Sequence, residues 1–158
     1  MSILTETIEL LRGSWIPEIY TEKVRTQRTR AYEMDIPMRE NSAEILFTLL
    51  GIELKVGKKR FSCPDLGTAR YLRVFARIGC SSVAIPYNIT KISVLADEFE
   101  VAWHQLILAH NELAGKFSPA ALGRSRSAVL KVIRSEMITA GSGPAMPEFK
   151  TSTRQRDT

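Results

Sequence analysis

The stretch NITKISVLADEFEVAWHQLILAHNELAG, residues 88–115, decides how the rest of the chain is read. Its apolar residues Ile89, Ile92, Ala96, Phe99, Trp103, Leu106 and Leu113 alternate three- and four-residue steps, and His110 occupies the one polar place in the series. A 3.5-residue period held for more than three heptads predicts a single long helix with a continuous apolar seam. Asn88 can cap its start through the side-chain oxygen, and Gly115 can end it. The other elements, or a second copy of the chain, are expected to pack on Ile92, Ala96, Phe99, Trp103, Leu106 and His110. A polar residue at such a seam can set register or oligomeric state, so these six form the expected homodimer seam.

Working outward, residues 52–63 show the second clear pattern. Ile52-Glu53-Leu54-Lys55-Val56 alternates apolar and charged residues, Gly57-Lys58 supplies a two-residue turn, and Lys59-Arg60-Phe61-Ser62-Cys63 returns. This predicts a β-hairpin with basic residues on its tip and outer face. Just before it, Asn41-Ser42-Ala43-Glu44 has the spacing of a capping box, and the apolar run from Ile45 to Leu50 predicts a helix closed by Gly51. Helix is also expected over the first 12 residues and within 18–33. Residues 81–87 read as an extended connector.

After the hairpin, Pro64 and Asp65 open a helix that Gly79 closes. On a helical wheel Arg70, Arg73 and Arg77 fall within about 60°, and apolar residues fill most of the remaining circumference. Beyond the long helix, Ser118-Pro119 marks another start. Gly123 is expected to interrupt that helix, leaving a final element over about 125–138, and residues 139–158 read as a disordered basic tail. The fold expected is thus mainly α: one helical domain over 1–138, packed around 88–115, with a small β-hairpin over about 52–63.

The chain of 158 residues carries a net charge of +5, unevenly placed. Residues 46–80 hold seven basic and two acidic groups, and 119–158 hold seven and three, while 1–45 and 81–118 are slightly acidic. Two basic blocks, 55–77 and 124–134, fit a polyanion or an acidic protein partner better than uniform basicity would. Within Gly123-Arg124-Ser125-Arg126-Ser127-Ala128-Val129-Leu130, Ser125 or Ser127 can cap a helix whose amides and arginines face a phosphate. These eight residues resemble the helix-opening Ser-Arg-Ser of ribbon-helix-helix repressors. The strand and second helix of that fold are missing around them, so nothing more of the family is carried over.

Catalytic patterns are lacking. His104 and His110 lie six apart, off a common face, and Cys63 and Cys80 have no metal-ligand spacing, so no metal or cofactor is expected. There is no glycine-rich phosphate loop, nucleophile elbow or dinucleotide fingerprint. Cys63, near Arg60, is read as a buried thiol, with a lowered pKa as the alternative. No apolar run approaches the roughly 20 residues that span a bilayer, and no signal peptide is evident. A cytoplasmic protein with no membrane partner is therefore expected. The function expected is a non-enzymatic, DNA-binding regulatory homodimer that holds phosphates with Lys58, Lys59, Arg60, Arg70, Arg73, Arg77, Arg124 and Arg126. An adaptor docking on an acidic protein through the same residues is the alternative, and a small enzyme the third reading.

Overall fold

The computed structural model describes residues 3–11, 13–113, 116, 118–143 and 146. Helix α1 (Ile3–Leu10) and the short α2 (Ile16–Ile19) come first, α2 running on into a π-helical turn over Tyr20–Val24. Then follow β1 (Thr29–Glu33), β2 (Ala43–Thr48), β3 (Gly51–Val56), β4 (Lys59–Cys63), α3 (Leu66–Ile78), β5 (Ser82–Pro86), α4 (Ile89–Leu113) and α5 (Pro119–Thr139). Strands β2, β3 and β4 form one antiparallel sheet, while β1 pairs antiparallel with β5 in a second. The fold is therefore mixed α/β, which corrects the expected helical domain with a single hairpin.

The correction turns on residues 41–48. Ala43 to Thr48 form a strand, paired from Ala43 opposite Val56 to Thr48 opposite Gly51. An apolar run as short as Ile45-Leu46-Phe47 carries no decisive period, and a neighbouring strand two residues away offers its hydrogen bonds cheaply. Ala43, Ile45 and Phe47 then share a face with Leu54, Val56 and Phe61, and that face packs on α3. Asn41 does not cap a helix at its own position. Its side-chain amide donates to the carbonyls of Arg39 (2.7 Å) and Ala76 (3.1 Å), and its backbone N–H donates to Arg77 O (3.3 Å). It thereby satisfies the Arg77 carbonyl at the end of α3 and adds a second bond to that of Ala76. Similarly, the helix expected within 18–33 stops at the π turn and gives way to β1, and the extended connector is β5.

The expected helix ends follow local chemistry. Asp65 accepts from the Thr68 N–H at 2.7 Å, and Asn88 accepts from the Lys91 N–H at 3.2 Å. Ser118 accepts from the Ala121 N–H at 3.2 Å. Helix α5 runs unbroken through Gly123, so Ser125 and Ser127 cap nothing and Arg124 and Arg126 lie inside the helix. The expected stop at Gly115 and most of the expected basic tail lie outside the described residues.

At the end of α3, Gly79 takes a left-handed conformation (φ 96°), and its N–H bonds back to Phe75 and Ala76. A Cβ there would stand 2.3 Å from the carbonyl oxygen of Arg39. Only glycine lets the chain preceding β2 lie so close against the helix end.

The core is built where α3, α4 and β5 meet. Tyr20, Tyr71, Phe75 and Phe99 form a buried aromatic cluster with ring centroids 4.9–5.8 Å apart, in tilted and edge-to-face contacts. Tyr71 donates its hydroxyl to Ala84 O at 2.6 Å, and the Tyr20 hydroxyl accepts from Ala84 N–H at 2.8 Å. These hydroxyls satisfy the strand edge of β5 that β1 leaves open. Burial raises the pKa of both, that of Tyr20 to about 12, so both remain donors across the physiological range.

Ile92, Ala96, Phe99, Trp103 and Leu106 are all buried in this same core. Five of the six residues expected as a dimer seam are thus covered by their own chain, and the sixth, His110, is partly buried. Cys63 and Cys80 are buried free thiols. Burial, reinforced by Asp65, pushes Cys63 up to about 11, the opposite of an activated thiolate.

Candidate functional site

Helices α3 and α4 lie side by side and run the same way. Gly67 meets Ser93, Arg70 meets Asp97 and Glu100, and Arg73 meets Glu100. The three- and four-residue steps of the two helices keep these pairs in register. One step further, Arg77 and His104 no longer touch but line opposite walls of an open cleft of about 830 Å³. Helix α5 contributes Arg126 to it, the chain preceding β2 contributes Glu40 and Asn41, and Trp103 and Ile107 supply its apolar surface.

The arginine stripe of α3 is present as the sequence predicts, but it faces α4 as well as solvent. Arg70 donates through Nε to both Glu100 oxygens at 3.2 Å and through Nη2 to Oε1 at 2.6 Å, and it also bonds Asp97. Arg73 Nη2 donates to Glu100 Oε2 at 2.9 Å, while its buried Nε has no hydrogen-bond partner among the described residues. Partial burial alone would raise the pKa of Glu100. The hydrogen bonds and charges of Arg70 and Arg73 outweigh that and hold its carboxyl below the usual range. Arg77 makes no ion pair among the described residues. It donates only to the Ala43 carbonyl, at 3.3 Å, and burial together with the charge of Arg73 lowers its pKa.

Arg126 is paired with Glu40, Nε to Oε2 at 2.9 Å. His110 joins α4 to α5, with Nε2 3.0 Å from Leu122 O, so this ring nitrogen carries the proton. Burial, with the charge of Arg126 added, lowers its pKa.

The remaining expected contacts lie elsewhere. Lys58 is exposed in the β3–β4 turn, Lys59 pairs with Asp35, and Arg60 pairs with Glu53 at 2.7 Å on the outer face of the sheet. Arg124 is exposed on α5. The structure thus gathers Arg73, Arg77 and Arg126 into one site and leaves the hairpin cations and Arg124 outside it.

Glu40, Asn41, Glu100 and His104 are site residues that sequence reasoning does not select. Glu100 belongs to an acidic run that has the look of a solvated helix face, and no local signal shows that α3 lies beside it. Among the described residues, no group of three or more His, Cys, Asp or Glu is placed to hold a metal ion, and no helix is long and apolar enough to cross a membrane. Comparison with family models, with curated proteins and with solved structures finds no match for this chain.

Proposed function

We propose that this is a non-enzymatic DNA-binding protein whose cleft between α3, α4 and α5 holds backbone phosphate. One observation carries the reading: Arg73, Arg77 and Arg126 converge from two helices on a cleft whose carboxylates, Glu40 and Glu100, are fewer than its arginines. Glu100 is shared with Arg70 as well, and Arg77 has only a carbonyl. A phosphate oxygen beside Arg77 would give it the anionic partner that the Ala43 carbonyl does not supply, since guanidinium matches oxyanions with paired donors. Trp103 and His104 add flat surface next to these donors. The two free, buried cysteines suit the reducing cytoplasm expected for such a protein. Regulation would follow from any sequence preference, whereas dimerisation through the α4 seam would require opening the core.

An acidic protein partner is the second reading, favoured by the carboxylates of Glu40 and Glu100 that already lie on these arginines. Fluorescence anisotropy of a labelled random-sequence duplex of about 30 base pairs, at two salt concentrations, separates the two. Binding whose log–log salt slope approaches −0.9 per phosphate contact, and which weakens on the order of tenfold in Arg77→Gln/Arg126→Gln, supports DNA. No binding at low salt, or binding indifferent to that double substitution, overturns it.

A further inference from the structure

We infer that the end of the molecule opposite the cleft is a docking tip for an anionic lipid surface. The β2–β3 turn is Leu49-Leu50, and these two side chains are 105% and 95% exposed. A two-residue hairpin turn asks for glycine, asparagine or aspartate. Neither leucine is required by the turn and neither contributes to the core, so their apolar surface is available only to something outside the fold. Phe47, 73% exposed, extends the same apolar face beyond the part covered by α3.

The topology collects further apolar surface here. Phe47 and Cys63 both flank Ile52, so β4 runs toward the tip and delivers the chain to Leu66, the exposed first residue of α3. Gly67 packs on Ser93, which brings the start of α4 to the same end with exposed Ile89 and Tyr87.

The charges around this surface select the occupant. Strand register and the Gly67–Ser93 contact direct residues 26–31, 45–52, 61–67 and 84–96 toward this end. They contain Arg28, Arg30 and Lys91 against a single carboxylate, Asp65, while Glu53 and Asp97 just beyond them are paired with Arg60 and Arg70. Asp65 is engaged by the Thr68 N–H (2.7 Å) and hydroxyl (3.1 Å). The Arg28 guanidinium stands over the Tyr87 ring, 5.2 Å from its centroid. Protruding leucines, with an exposed tyrosine and three cations on the neighbouring segments of the same end, form the pattern that enters the headgroup boundary of an anionic bilayer. A second copy would bring the same cations face to face, which charge opposes. The expectation of no membrane partner rests on the lack of a spanning segment, and this tip would lie on a membrane without crossing it.

Co-sedimentation of the full chain with phosphatidylcholine vesicles, with and without roughly a third phosphatidylserine, tests the inference. The expected result is binding to the anionic vesicles alone, weakened by salt, and reduced at least tenfold in Leu49→Ser/Leu50→Ser. That double variant should keep the parental unfolding midpoint, because both residues are exposed. It should also keep any DNA binding, which uses the other end of the molecule. Arg28→Gln/Lys91→Gln should lose affinity for the anionic vesicles with the leucines intact. Absence of binding to anionic vesicles, or undiminished binding by the leucine variant, overturns the inference. So does a dimer in sedimentation velocity that disappears in the leucine variant.

Discussion

The pair α3–α4 is closed at one end and open at the other. Where Gly67 meets Ser93 only a small side chain lies between the helices, and the surface beyond is apolar and free of uncompensated carboxylate. Where Arg77 faces His104 the walls stand apart around charged and aromatic side chains. Between them Glu100 clasps Arg70 and Arg73. The difference shows how one helix pair serves two kinds of surface. A small residue allows close approach at one end, and long side chains that must keep polar contact prop the other end apart.

The largest effect should come from breaking the open end at its support. Gly79→Ala sets a methyl against Arg39 O in a left-handed backbone. We expect a loss of about 3 kcal/mol or more in urea unfolding, and disorder of the 39–42 wall of the cleft.

Glu100→Gln removes the clasp from two half-buried guanidiniums. It should cost about 2 kcal/mol of stability and yet strengthen polyanion binding, because the cleft becomes more positive. A loss of both would show that Glu100 shapes the site for its ligand and does not merely compete with it. The pH dependence carries a definite sign. A carboxyl whose folded pKa is depressed contributes stability above its ordinary value of 4.5, and that contribution is lost as pH falls through the lower folded value. Unfolding curves taken from neutral pH to below 4.5 should therefore fall more steeply for the parent than for Glu100→Gln.

At the closed end, Gly67→Ala places a Cβ 2.5 Å from Ser93 Oγ. A destabilisation of about 1 kcal/mol is expected in the parent. In a Ser93→Ala background the same change should instead be neutral or stabilising, by up to about 1 kcal/mol of helix propensity. Identical effects in the two backgrounds would mean that the helices do not touch there.

The smallest effect belongs to His110, whose pKa is lowered by burial and by Arg126. A histidine depressed in the folded state contributes stability above its ordinary value of 6.5, and loses it as pH falls through the folded value. His110→Gln should flatten that part of the stability–pH profile, read by thermal unfolding in steps below neutrality.

Several features are legible in the sequence alone. The Asn88 start of α4, the Gly79 end of α3 and its start within two residues of Pro64, the Ser118 start of α5 and the β3–β4 hairpin all rest on contacts between residues a few positions apart. Caps, glycine turns and helical periods are local chemistry, and the fold keeps them. The run from Asn41 to Leu50 shows where such reading stops. Its capping residues and apolar character suit a helix, yet the bonds available from β3 and the apolar face of α3 make it a strand. The cleft is half visible in the same way, with Arg73 and Arg77 recognisable as an edge of α3 but without the charges they face.

By itself, then, the sequence determined where the helices after residue 63 begin, which face of α4 is apolar, and that positive charge collects in two blocks. Only the tertiary structure decided that the α4 seam is filled by the chain's own core and that residues 43–48 join a sheet. It also decided that Arg70 and Arg73 are held by Glu100 while Arg77 has no carboxylate of its own. The physical reason is distance along the chain. Local hydrogen bonds and periods are fixed by neighbours, whereas the partners of a seam, a strand edge or a guanidinium are chosen only when β5 brings α4 alongside α3.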